Sequence, residues 1–315
     1  MSKTTPVPVR TTAFEPYMRA AIEKVYHYTP SAIFKPHPGY AAAPNLRSEV
    51  TNTIILFTGS FNPPHLGHKL LLTHAFFRSS FENAVAATIL PGPNPNEKED
   101  YLDEKFPQAL EEAISKDGFR VSPVTVWGVD CLDSTTELQH RGELWEESVF
   151  SDAGRALEQH TDNGTPVKLH HYLNWKIQSE VYERLLARIE QGEFATQVIT
   201  QLLYPLQAQI IERDFQKPED LEKQARNVLS VSLRESGHPW ICKNRKDPEI
   251  VVRFVPARSL LLAQGMSDLS SAYIRNIVEI HGPDGAGEIL VDALTGKALN
   301  PIIFESMLES KRRIE

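Results

Sequence analysis

The chain has 315 residues, 41 % hydrophobic and 23 % charged, which is enough apolar material for one large domain or two smaller ones without covalent staples. Its two cysteines, Cys131 and Cys242, lie far apart in sequence, which excludes a disulfide framework and fits a reducing intracellular setting. The formal net charge is −8 and Lys and Arg cluster only in the terminal "KRR". That balance argues against nucleic acid or an anionic membrane as a charge-driven partner, yet leaves room for a small basic pocket.

The opening "MSKTTPVPVRTTAFEP" has no apolar core of signal-peptide length, and no run approaches a membrane span, so a cytoplasmic or nuclear protein is expected. Residues 1–13, polar and Pro-containing, are expected to be disordered. Tyr17, Ala20, Ala21, Ile22 and Val25 recur at helical spacing and predict a short helix over 14–28. Four prolines in the next seventeen residues predict an irregular connector.

"NTIILF" (52–57) is a short continuous apolar run bounded by glycine, the pattern of a central parallel strand. A helix with a wide apolar face follows over 66–79, then a strand over 83–91 that "PGPNPN" stops. Residues 101–118 read as helix with a break at Pro107, and 119–127 as a third strand. Strand, helix, strand, helix, strand implies an α/β fold, a Rossmann-like parallel sheet with right-handed crossovers. Residues 137–235, rich in Glu, Gln, Leu and Arg, read as a helical insertion, with the clearest helix at 175–192. The adjacent histidines of "LHHYLNW" (169–175) would face apart on a helix, which disfavours a metal role. The sheet pattern returns at 249–257, and helices are expected at 267–282, 285–295 and 301–312.

The stretch "TGSFNPPHLGH" (58–68) stands between the first strand and its helix. A strand that enters a glycine turn and then a helix presents backbone N–H groups and the positive end of the helix dipole, which together favour a phosphate. Gly59 permits the turn and close approach of a ligand, and Pro63 and Pro64 suit a first helical turn. His65 and His68, three apart, put both rings on one face with Gly67 leaving it uncovered. The stretch therefore reads as a nucleotide triphosphate cradle. A purely structural turn is the plainer alternative. A metal site is disfavoured because no further His or Cys lies at ligand spacing nearby, His74 being two turns along.

"GSFNPPHLGH" resembles the signature of the HxGH nucleotidyltransferase superfamily, and its "GSFNP" start most resembles nicotinamide or nicotinate mononucleotide adenylyltransferases. The resemblance covers about 90 residues in three blocks, 52–92, 119–132 and 249–282. It implies the nucleotidyltransferase fold over 51–315, with the insertion at about 137–235 and an extension over 1–50. It also implies that His65 and His68 contact the ATP phosphates, with Gly59, Ser60 and Phe61 lining the nucleotide pocket.

A second family element is matched by "LSSAYIR" (269–275), where Ser270 and Ser271 would give hydroxyls and N–H groups and Arg275 a cationic fork. Ala272 departs from the family's threonine, and Ser-Ser before a helix is also an ordinary cap. "WGVDCL" (127–132) is similar to the family's Gly-x-Asp segment, which would let Asp130 bind sugar hydroxyls and Trp127 stack a nicotinamide ring. A turn with an Asp cap and a core tryptophan explains it equally well. Lys98 is a candidate for the acceptor phosphate, within a loop more acidic than the family pattern, and Lys105 is an alternative. Arg253 reads as a surface charge.

What the resemblance implies, then, is transfer of AMP from ATP to nicotinamide or nicotinate mononucleotide with release of pyrophosphate. The expected partners are these small molecules with Mg²⁺ carried on the phosphates and no protein metal site; the extension and insertion would cap the site or join copies of the chain. Two other readings stay open: a cytidylyltransferase acting on another phosphorylated acceptor, and a nucleotide-binding protein with weak or no transfer.

Overall fold

A computed structural model describes residues 9–30, 33, 44–59, 65–79, 83–91, 102–128, 147–153, 161–162, 165–191, 237–257, 270–281, 287–295 and 297. In chain order the strands are β1 (Thr11–Ala13), β2 (Asn45–Arg47), β3 (Thr51–Gly59), β4 (Ala84–Pro91), β5 (Arg120–Gly128), β6 (Glu147–Ser151), β7 (Thr161–Asp162), β8 (Thr165–Pro166), β9 (Lys176–Ile177), β10 (Trp240–Lys243) and β11 (Val251–Val255). The helices are α1 (Glu15–Tyr26), α2 (Leu66–Arg78), α3 (Leu102–Ser115), α4 (Ser179–Glu190), α5 (Ser271–His281) and α6 (Gly287–Leu294).

A seven-stranded sheet runs β4-β3-β5-β6-β11-β10-β9. The strands from β4 to β11 pair in parallel, and β10 and β9 add an antiparallel edge. This is a mostly parallel α/β sheet with helices on its faces, a Rossmann-like arrangement. Among the described residues no helix is long and apolar enough to cross a membrane.

Alternation along the buried strands sorts their side chains into two layers. Ile55, Phe57, Val124, Val126, Val149 and Val255 meet Leu71 and Ala75 of α2 on one face. Ile54, Leu56 and Ala86 meet Phe106, Leu110 and Ile114 of α3 on the other. The N-terminal segment belongs to that second layer, because Phe14, Met18, Ala21 and Leu46 are buried in the same cluster. It is also clamped to the turn between α3 and β5. Arg10 lies 4.6 Å over the Phe119 ring and donates to the Asp117 carbonyl, and the Tyr17 hydroxyl donates to Asp117 at 2.5 Å.

Four expectations change. Residues 9–13 are not disordered: β1 pairs antiparallel with β2, a strand at the end of the expected irregular connector. Helix α3 passes Pro107 unbroken. The N–H that Pro107 lacks would have served only the carbonyl four residues back, while buried Phe106, Ala109 and Leu110 hold the helix to the sheet. The segment expected as a helical insertion contains β6, which sits mid-sheet between β5 and β11. Among the described residues of that segment only α4 matches the expected helix, and residues 192–236 lie outside the described residues. Arg253 is not a surface charge: it is part-buried, pairs with Glu147 across β6 and β11, and donates to Gln178 at 2.9 Å.

Candidate functional site

Numbered by sequence, the parallel strands stand in the order second, first, third, fourth, fifth. Connections therefore diverge between β3 and β5, where the chain goes to opposite sides of the sheet. Such a divergence opens a crevice beyond the carboxyl ends of the two strands, the usual ligand site of open α/β sheets. Gly59 ends β3 at this edge and Gly128 ends β5 beside it. Gly59 ends β3 opposite Pro91 of β4. Ser60, Phe61, Lys98 and Asp130 lie outside the described residues, as does Cys131.

His65 is the N-cap of α2 and is buried, with 5 % of its surface exposed. Its ring stacks on that of His68, centroids 3.6 Å apart and planes 25° from parallel. Phe57, buried at the end of β3, backs His68 at 6.0 Å. A reciprocal capping box fixes the pair, and within it the His65 N–H donates to His68 Nδ1 at 3.2 Å. An Nδ1 that accepts carries no proton, so the neutral His68 ring holds its proton on Nε2 and offers a donor there.

The backbone contributes less than the sequence implied. The Leu66 N–H donates to the Lys297 carbonyl at 2.8 Å and the His68 N–H to the His65 carbonyl at 3.1 Å. With the His65 N–H on His68, three amides of this turn are donated within the protein. Among the described residues of this turn, the rings and the helix dipole, rather than a cradle of unpaired amides, are the groups that could meet an anion.

The second element is brought to the first by apolar packing. Leu66, the residue after His65, shares a buried cluster with Ile274 and Ile277 of α5 and with Leu290 and Leu294 of α6. Leu66 at the start of α2 and Ile274 in the first turn of α5 are thereby joined in one buried cluster. Ser270 caps α5, its Oγ accepting from the Tyr273 N–H at 3.1 Å while its own proton is left to donate. Ser271 is the first helical residue, half-buried, and Arg275 stands exposed one turn on.

Trp127 is not brought to this pair. Val126 packs under α2, so the next side chain points to the opposite face. There Trp127 is buried with Phe150, Leu169, Tyr172 and Phe254, the core tryptophan that the sequence also allowed. Among the described residues no group of three or more His, Cys, Asp or Glu side chains could hold a metal ion.

Two residues at this edge went unnoticed in the sequence. Asp152 follows β6, is 1 % exposed, and accepts from the Ala257 N–H, joining the ends of β6 and β11. Its signal was hidden with the strand that precedes it. Lys69 stands four residues after His65 on α2, and burial holds its ammonium below the usual lysine pKa. A lysine one helical turn past the first histidine was the available cue. A scan of protein-family models and a search of curated proteins both return no match to this chain.

Proposed function

We propose that this chain is a nucleotidyltransferase that passes the AMP of ATP to nicotinamide or nicotinate mononucleotide and releases pyrophosphate. The observation that carries the reading is the stacked His65–His68 pair at the first helix beyond the divergence of the sheet; Ile274 of the Ser270–Arg275 segment shares an apolar cluster with the adjoining Leu66.

In this reading the acceptor's phosphate attacks the α-phosphorus of ATP and the bond to pyrophosphate breaks. A phosphate monoester is already nucleophilic, so the protein contributes alignment and charge stabilisation rather than a base. His68 donates from Nε2 to an oxygen of the reacting phosphate, and its ring is kept from turning by the His65 N–H and by Phe57. His65 supports that ring by stacking. Arg275, Ser270 and Ser271 serve the β- and γ-phosphates. Mg²⁺ arriving with the ATP would supply charge neutralisation there without a carboxylate cage, which suits a donor set of imidazole, hydroxyl and guanidinium groups.

Ala272 supports a second reading, a nucleotide-binding protein with little transfer, because one hydroxyl of the resembled motif is missing. The deciding experiment follows pyrophosphate release with ATP or CTP against nicotinamide mononucleotide, nicotinate mononucleotide and other phosphorylated acceptors. Release that needs ATP and a pyridine mononucleotide, and that His68→Ala abolishes, supports the first reading. Calorimetric ATP binding without product supports the second, and CTP-dependent release reassigns the donor.

A further inference from the structure

The end of the sheet opposite the histidine pair carries a concentration of positive charge unusual for a chain with a net charge of −8. Residues 244–250 connect β10 to the start of β11, so they lie at the amino ends of the parallel strands. The turn 169–173 is laced to them. The Arg245 N–H donates to the His171 carbonyl at 2.9 Å, the Leu173 N–H to the Lys243 carbonyl at 2.9 Å, and Arg245 Nε to the Tyr172 carbonyl at 3.0 Å.

These are not the residues of a helix, as their sequence first suggested. His170 and His171 occupy a turn, with His171 in the left-handed region at φ 64°. A non-glycine residue there is uncommon and stores strain that the surrounding bonds must hold. The two rings meet edge to face at 3.9 Å. His170, His171, Arg245 and Lys246 are all exposed, and among the described residues none of the four has a carboxylate partner. Asp247 and Glu249 share the connection, but an Asp247 oxygen accepts from the Glu249 N–H, and the charges that reach His171 are positive.

Like charges gathered by backbone bonds repel one another, and a multiply charged anion relieves that repulsion. The anchoring of Arg245 through Nε orients its guanidinium plane, the geometry that suits paired bonds to phosphate oxygens. We propose that the turn pair bearing His170, His171, Arg245 and Lys246 binds a multiply charged phosphate anion, at a site separate from the candidate nucleotide site. Partial loss of hydration within the turn, and then the charges of His170, Lys246 and Arg245, hold the pKa of the exposed His171 below its ordinary value. A bound phosphate counters those charges and moves it upward, so binding strengthens as pH falls through the titration of His171.

The experiment titrates inorganic tripolyphosphate, and in a second arm glycerol phosphate, into the full chain at low ionic strength while NMR follows the imidazoles. The His171 resonance is assigned by its loss in His171→Gln. The expected result is a saturable shift with a raised His171 midpoint, unaffected by His68→Ala. Lys246→Ser, an exposed change that leaves the turn's backbone bonds in place, should weaken the affinity roughly tenfold, with Arg245→Ser adding to the loss. Tighter binding of tripolyphosphate assigns the site to oligophosphates, and tighter binding of glycerol phosphate assigns it to monoesters. A shift reproduced by chloride at equal ionic strength, or unchanged affinity in Lys246→Ser, overturns the proposal. Because His68→Ala removes the other site, this result is independent of whether the chain transfers nucleotides.

Discussion

At the scale of single residues, the proposed transfer gives the two nitrogens of His68 separable work, and two substitutions can divide it. Nδ1 accepts from the His65 N–H and holds the start of α2, whereas Nε2 carries the donor. Asparagine places its oxygen near Nδ1, and glutamine places its amide nearer Nε2. His68→Asn should keep the thermal midpoint but lose roughly 10² to 10³ in the rate of pyrophosphate release, the usual loss for one transition-state donor. His68→Gln should keep more rate at lower stability, missing a cap worth about 1 kcal/mol. Equal rates for the two variants would remove the Nε2 donor from the mechanism. Lys69 gives a second test, in which the sign follows from its lowered pKa. The fold disfavours the ammonium relative to the unfolded chain. That penalty is complete below the folded pKa and fades as pH rises from it to the ordinary lysine value of about 10.4. Lys69→Met should therefore melt above wild type at pH 7, with the gap closing toward pH 10.5, as melting curves on both proteins would show. A gap that widens with pH contradicts the assigned burial.

At the scale of elements, the N-terminal segment behaves as a layer of the core rather than an appendage. Met18 is 1 % exposed among Phe14, Leu46, Phe106 and Leu110. Met18→Ala should lower the unfolding free energy by about 2–5 kcal/mol, read as a lower urea midpoint at unchanged slope. Activity per folded molecule should stay unchanged, because α1 covers the face opposite α2. A loss under about 1 kcal/mol would mean the segment is only laid on the surface. This helix was legible in the sequence because its apolar residues recur at 3.6, β3 because its apolar residues run unbroken, and β4 and β5 because apolar and β-branched residues crowd them. β6 was not, for a physical reason. Ser148 and Ser151 are small enough to be buried as they stand, so a central strand with only Val149 and Phe150 as apolar residues reads as polar. The site divides in the same way. His65 and His68 were visible from local spacing and resemblance, while the Lys297 carbonyl on Leu66 comes from a residue more than two hundred positions away. Local pattern carries no signal for such a bond.

At the scale of the whole molecule, a ligand held as proposed at the histidine pair and the α5 turn would bear on global stability. α2 spans β3, β5, β6 and β11 through one apolar cluster, and α5 and α6 close on its first turn through another. A ligand that bridges the starts of α2 and α5 must be released before the sheet loses α2, so its binding free energy adds to that of unfolding. With Mg²⁺ and ATP at a hundred times the dissociation constant, linkage gives about 2.7 kcal/mol. In a chain of this length that corresponds to a midpoint rise of a few degrees. At near-physiological ionic strength, which screens the exposed basic turn, the rise should vanish in His65→Ala/His68→Ala and persist in Lys246→Ser, whose site lies at the other end of the sheet. Scanning calorimetry of the three proteins, each with and without nucleotide, makes the comparison. Equal stabilisation of all three would place the nucleotide away from the stacked pair, since a ligand held by these rings cannot stabilise a fold from which they have been removed.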